Sequence, residues 1–414
     1  MCYPQPPPSA DCFRRRRTGN GEIIHLSKGW AVKGDAIGFA VRQSKFPVFW
    51  GRFQTTKESL MKKILLPVLF AILGISFVFV SAPALAEEEK ILHVYAWSEY
   101  LPQDCLDRFE AEYGIKVIYS TYDSNEAMYA KLKLLDGKGY DLIIPSTYFI
   151  SQMKEEGMLA RIDKSRLRNF GQIKKHLIGL DFDPENEYSI PYLWGSSGIQ
   201  VNKQYIDPAS ITSWTDLARP EFAGKVLMPD DMRDAIGVAL LALGYSPNSV
   251  NEAEIKEACA WLTALKPNVR VFSSNNSIQP MAVEETWIGA IWNGEAYLAF
   301  EENDNLEFIY PKEGGIVWID SFVIPKGAEH PENAHLFIDF MLSAENGAKA
   351  VEEFRYSTVS EAAQALLPEE IQASHVISPT PEDLRNSEIT INVGEANAIY
   401  EKYWELFRTG TGIE

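Results

Sequence analysis

Residues 114–145 read GIKVIYSTYDSNEAMYAKLKLLDGKGYDLIIP. The β-branched run Ile115–Ser120 has the composition of a strand. Ser124 then opens a segment of helical period that reaches about Leu135 and stops at Gly137, and Asp141–Pro145 is a short apolar strand. Serine is a favoured N-cap and glycine a favoured helix stop, so the boundaries are set by backbone chemistry as well as by hydrophobic period. The alternation continues on both sides. Ile91–Ala96 is a strand, Pro102–Tyr113 is a helix closed by Gly114, and Phe149–Gly157 is helical. A second series follows Tyr188–Tyr192, with strands predicted at Lys225–Met228, Trp287–Trp292, Leu306–Tyr310 and Ile316–Ile324. Its helices are Met232–Leu243 and Ala253–Leu265. Pro331–Leu342 and Ala344–Phe354 read as amphipathic helices returning to the first series, and Asn392–Phe407 is the last helix. Strands and helices alternating at this length predict α/β lobes built on parallel sheets covered on both faces. Two lobes joined by strands leave a cleft between them, and in such sheets ligands sit beyond the carboxyl ends of the strands.

Charge divides the 414 residues unevenly. Residues 1–86 hold 12 basic and 4 acidic side chains, whereas 87–414 hold 27 basic and 53 acidic, a balance of -26. An acidic body of this size argues against nucleic acid as a partner, because phosphate binding needs a basic surface. Residues 61–86 combine Lys62 and Lys63, an apolar stretch from Ile64 to Val80, and Ala84-Leu85-Ala86. That is the pattern of a secretory signal peptide cut between Ala86 and Glu87, with an uncleaved membrane anchor as the alternative. Residues 1–60, with a Pro-rich stretch and the run Arg14–Arg17, read as a disordered extension mis-assigned upstream of a start at Met61. Export permits disulfides. Cys105 and Cys259 nonetheless sit among apolar residues at helical spacing, so they read as buried residues of two different helices, with a single disulfide as the alternative.

Several chemistries lack their signatures. There is no phosphate-cradling G-x-x-x-x-G-K-[ST] or G-x-G-x-x-G and no G-x-S-x-G elbow. His93, His176, His330, His335 and His375 show no metal-ligand spacing and read as surface or loop residues, so neither metal nor cofactor is expected. The neighbouring acids Asp230-Asp231 and Glu284-Glu285 could suggest acid/base work, but in so acidic a chain such pairs normally face solvent.

What the sequence does offer is aromatic rings and carboxylates at predicted strand ends: Trp97-Ser98-Glu99-Tyr100, Ser146-Thr147-Tyr148, Asp230-Asp231-Met232-Arg233-Asp234, Trp292-Asn293-Gly294 and Trp318-Ile319-Asp320. A tryptophan alone is more often core than ligand box, and Asp231 or Asp234 alone could be a helix cap. Together they suit an elongated cation with an aliphatic body. Ring faces attract ammonium groups and cover methylenes, while carboxylates neutralise buried amines. A sugar would leave three acids poorly compensated, a secreted acid/base hydrolase would need two facing carboxylates, and no arginine is evidently placed for an amino-acid carboxylate.

At these positions the chain resembles the bacterial periplasmic spermidine/putrescine-binding proteins, the receptors of ABC-type polyamine importers. The resemblance runs from about Leu92 to about Phe407 through blocks such as YDLIIPSTY, YSIPYLWG, TSWTDL, IWNGEA and PKEGGIVWIDS. It implies a two-lobed periplasmic binding protein fold of type II, non-enzymatic and monomeric, whose chain crosses between lobes near Pro191–Ser196 and Trp318–Asp320. The implied lobes are 87–194 with 319–364, and 195–318 with 365–414. The implied aromatic box is Trp97, Tyr100, Tyr148, Trp292, Trp318 and Tyr356, the amine-pairing acids are Asp231, Asp234 and Asp320, and the small polar contributors are Ser98 and Ser146. Ser98, Asp234 and Thr390 stand where the family's spermidine receptors carry threonine, glutamate and glutamine. The resemblance implies a polyamine ligand, spermidine ahead of putrescine, passed to membrane permease subunits.

Overall fold

A computed structural model describes residues 88–98 and 100–410. The upstream extension, the leader with its cleavage point, and Glu99 lie outside the described residues.

Strand β1 (Ile91–Trp97) is the centre of a three-stranded sheet, parallel to β2 (Lys116–Tyr122) on one side and to β3 (Leu142–Ile143) on the other. Helix α1 (Gln103–Tyr113) ends at Gly114, whose φ of 65° is the left-handed conformation glycine adopts without steric cost. Ser124 caps α2 (Asn125–Leu134) by accepting from the Ala127 N–H. Helix α3 (Thr147–Glu155) begins two residues before the apolar pattern suggested, because Pro145 ends the strand and Ser146 occupies the N-cap position.

Strand β4 (Ile190–Asn202) is buried at all 13 positions. Its first half pairs antiparallel with β9 (Ile316–Phe322), from Ile190 opposite Phe322 to Ser196 opposite Val317. Its second half pairs antiparallel with β7 (Ile288–Trp292) and β8 (Leu306–Ile309). Beyond β7 lie β5 (Val226–Met228) and β6 (Val269–Phe272), both parallel to their neighbours. The sheet is therefore mixed, not parallel as expected. The period failed to reveal the second half of β4 because Ser196, Ser197, Gln200 and Asn202 are polar yet buried. They are shut in by strands on either side, and the Gln200 amide donates to the Ala296 carbonyl at 2.6 Å.

Helices α4 (Met232–Ala242), α5 (Glu252–Leu265), α6 (Ile278–Ala282) and α7 (Asn293–Glu302) belong to this second series. Helices α8 (Pro331–Met341) and α9 (Ala344–Phe354) return to the first. Phe337, Ile338 and Val351 share one apolar cluster with Leu92, Val94 and Phe109. After β10 (Ser357–Thr358), α10 (Glu361–Gln364), α11 (Glu369–Ala373) and β11 (Glu388–Ile389), helix α12 (Asn397–Thr409) packs Tyr400, Tyr403 and Phe407 into the other cluster, with Ile236, Leu262 and Ile288. Bridges from Ile143 to Val323 and from Ser146 to Asp320 stitch the three-stranded sheet to β9. The fold is the two-lobed type II arrangement, with β4 and β9 as the paired crossings.

Glycine at 195 is a packing requirement. A Cβ there would stand 2.4 Å from the Trp318 ring and 2.5 Å from Asn293 Oδ1. Gly195→Ala should cost about 1–3 kcal/mol, the usual penalty of overpacking, read as a lower urea midpoint. An unchanged midpoint would mean that Trp318 moves aside freely.

Cys105 in α1 and Cys259 in α5 are buried free thiols, with burial raising them to about 11 and about 12. The expectation for the histidines is corrected. His330 and His335 are buried: His330 Nδ1 lies 3.0 Å from Asp141 Oδ2, and His335 Nε2 accepts from the Asp163 N–H at 2.9 Å. Both are polar groups satisfied at the start of α8, where sequence spacing carries no signal of burial.

Candidate functional site

All twelve residues singled out from the sequence line one cavity of about 770 Å³, measured with its open mouth. They reach it from both lobes. Trp97, Ser98 and Tyr100 follow β1, Ser146 and Tyr148 open α3, and Asp231 and Asp234 open α4. Trp292 ends β7, Trp318 and Asp320 lie within β9, Tyr356 follows α9 and Thr390 follows β11.

Asp320 is 4% exposed. Its two oxygens accept from different hydroxyls, Tyr100 at 2.7 Å and Ser146 at 2.6 Å. Burial pushes its carboxyl up to about 7, and the two hydrogen bonds restrain the rise by favouring the anion. Asp231 does two jobs. Its Oδ1 accepts from the Asp234 N–H at 3.0 Å, capping α4, and its carboxyl lines the cavity. Burial raises its pKa. Asp234 is pushed up to about 8, first by burial and then by the charge of Asp231, while the donated indole N–H of Trp292 opposes the shift. Of the Asp230-Asp231 pair only Asp231 enters the cavity; Asp230 stands 3.5 Å from Arg408 outside it. Glu285 pairs with Arg270 on the surface, as a solvated acid does.

The rings form a wall. Trp318 meets Tyr356 edge-on with centroids 5.0 Å apart, and Tyr100 lies 6.1 Å from Tyr356. Gly294 permits this approach, since a Cβ there would fall 2.6 Å from the Tyr356 ring. Trp97 leans on Tyr122 at 4.7 Å. Thr390 donates its hydroxyl to the Val317 carbonyl at 3.1 Å, so its proton is committed to the sheet.

Five lining residues were missed: Asn125, Arg233, Ser274, Asn275 and Glu295. Asn125 braces the wall, its amide donating to the Tyr148 hydroxyl at 2.9 Å and to Ser146 Oγ at 3.2 Å. Its place just after the capping Ser124 gave no hint of this. Arg233 is an arginine on the cavity wall that the sequence did not single out. It is buried, with its guanidinium 5.1 Å from the Tyr148 ring centre and 4.9 Å from that of Tyr400. It donates to the Ile391 carbonyl and to Asn248 Oδ1. Its position between Asp231 and Asp234 was the available signal. The charge partly offsets both acids. A cavity with three buried carboxyls and a ring wall suits a cation that is apolar between its charges.

Two lobes, two crossing strands and an enclosed cleft between them define a solute receptor. The family model described as "Bacterial extracellular solute-binding protein" matches residues 104–377, and the chain belongs to that family. It is 43% identical over 325 residues to the "Spermidine/putrescine-binding periplasmic protein" of Escherichia coli K12, an alignment covering 78% of this chain and 93% of that one. It is 30% identical over 352 residues to the "Putrescine-binding periplasmic protein PotF" of the same organism, covering 80% of this chain and 95% of that one. A solved structure, "Putative spermidine/putrescine ABC transporter from Listeria monocytogenes", is similar with a TM-score of 0.75 at 36% identity, covering 78% of this chain and 100% of that one.

Proposed function

We propose that the chain is a non-catalytic periplasmic receptor that binds a polyamine in the interlobe cavity and hands it to the permease of an ABC importer. The observation that carries the reading is the convergence of Asp231, Asp234 and Asp320 on a space walled by Trp97, Tyr100, Tyr148, Trp292, Trp318 and Tyr356. Ring faces cover the methylenes, and the carboxylates meet the nitrogens. Three carboxyls favour spermidine, with three amines, over putrescine, with two. Ser98, Ser146 and Thr390 complete the polar lining. The names of the similar proteins, spermidine/putrescine-binding and putrescine-binding, support the ligand class. We assign 87–194 with 319–364 to one lobe and 195–318 with 365–414 to the other, with Leu367, Ile371 and Ile377 packed back on the first lobe's core. We also assign export through the leader, cleaved between Ala86 and Glu87, and action as a monomer.

Spermidine at a hundred times its Kd is expected to stabilise the protein by about 2.7 kcal/mol. A chain of this size registers that as a rise in Tm of about 5 °C. Maltose and glutamate should leave the melt unchanged. A melt unmoved by putrescine, spermidine and spermine alike would overturn the reading.

A further inference from the structure

A small pocket adjoins the main cavity and shares the lining residues Trp292, Ser274 and Glu295 with it. It has room for about one water-sized group. Glu295, in the first turn of α7, brings a carboxylate to the boundary of the two spaces, where Ser277 donates a hydrogen bond to its Oε2. After burial, the charge of Glu295 helps raise the hydroxyl of Tyr356, whose ring walls the main cavity. Ser197 in β4 also lines the small pocket and is 3% exposed. Its Oγ is buried without a hydrogen-bond partner among the described residues, and so is the Oγ of Ser274. Buried hydroxyls left unpaired are costly, and two of them lining one pocket indicate that something fills it.

We propose that Glu295, with the hydroxyls of Ser197 and Ser274, forms an ammonium-holding subsite for one nitrogen beyond those met by the three aspartates. This rests on the polyamine reading and deepens it, since it sets how many charged nitrogens the cavity accepts. An ammonium head is about the size of a water and carries only donors. Two hydroxyl oxygens and a carboxylate supply the matching acceptors. An anion is disfavoured, because the pocket is lined by no Lys, Arg or His among the described residues.

The test is calorimetric titration of wild type, Glu295→Gln and Ser197→Ala with putrescine, spermidine and spermine, which carry two, three and four amines. The expected result is a loss graded by nitrogen count in Glu295→Gln, about tenfold or more for spermine and smallest for putrescine. Ser197→Ala, an independent route should the first variant fold poorly, should show the same order with a smaller loss. Equal losses for all three ligands, or none for spermine, would overturn the subsite and mark the pocket as a water site. Wild type that binds none of the three would instead sink the polyamine reading itself, so the two failures are distinguishable.

Discussion

Asp320→Asn is expected to weaken spermidine binding by about 2–5 kcal/mol, from about 30-fold to several-thousand-fold in Kd. Size and packing are nearly conserved, so the loss isolates the charge. Asp320 accepts from the Tyr100 and Ser146 hydroxyls at once. An amide has a single oxygen, so its NH2 group must face one of those donors and turn a hydroxyl away. The larger part of the loss comes from a ligand ammonium buried without its counter-charge. Titration calorimetry measures it, with Asp230→Asn as the control. Asp230 stands outside the cavity beside Arg408, and its replacement should leave affinity within about twofold. An Asp320→Asn protein that binds as wild type would remove Asp320 from the amines.

Ligand binding should also release protons. In the unliganded cavity Asp320 is raised to about 7 and Asp234 to about 8, so near neutral pH these carboxyls hold protons. An arriving cation favours the ionised form and expels them. Each proton released gives about a tenfold rise in affinity per pH unit, so affinity should climb between pH 6 and 8. Titrations in buffers of different ionisation enthalpy count the protons directly; uptake, or none, would contradict the assignment. The same linkage acts on stability. The folded pKa values lie above the unfolded carboxylate range of about 4, so the folded state holds more protons in that window. Unliganded stability therefore falls as pH rises from about 4 to about 8 on account of these groups. Bound polyamine should remove that fall, so the ligand-induced rise in Tm should be larger at pH 8 than at pH 6.

Much of this was legible in the sequence, for identifiable reasons. The helices at α1, α2, α4, α5, α8 and α9 announce themselves through period and through residues such as Ser124 and Gly114. The twelve lining residues were reached through strand ends and through a resemblance that names positions outright. What escaped was set by partners distant in sequence. Ser196 and Ser197 look like a loop until β9 and β7 flank them. Ser274 and Glu295 line one pocket only because β6 and β7, which precede them, flank β5 in the sheet, and no periodicity encodes that. Asn125 and Arg233 sit beside residues that were noticed, but their roles depend on what lies across the cleft. His330 lies outside helix and strand, in keeping with a loop residue, but its burial escaped notice because its partner, Asp141, is 189 residues away.

The position of Trp318 and Asp320 within β9 has a mechanical consequence. That strand, laid against β4, is shared by both halves of the molecule. A rocking of the halves about this pair would leave Trp318 and Asp320 nearly stationary, as an axle is. Ser146, bridged to Asp320, would stay with them, while Asp231 and Asp234 would swing in from the other half. A solute would thus rest first on an immobile seat of Trp318, Asp320 and Ser146 and then be gripped by one moving jaw, which separates the capture step from the closing step.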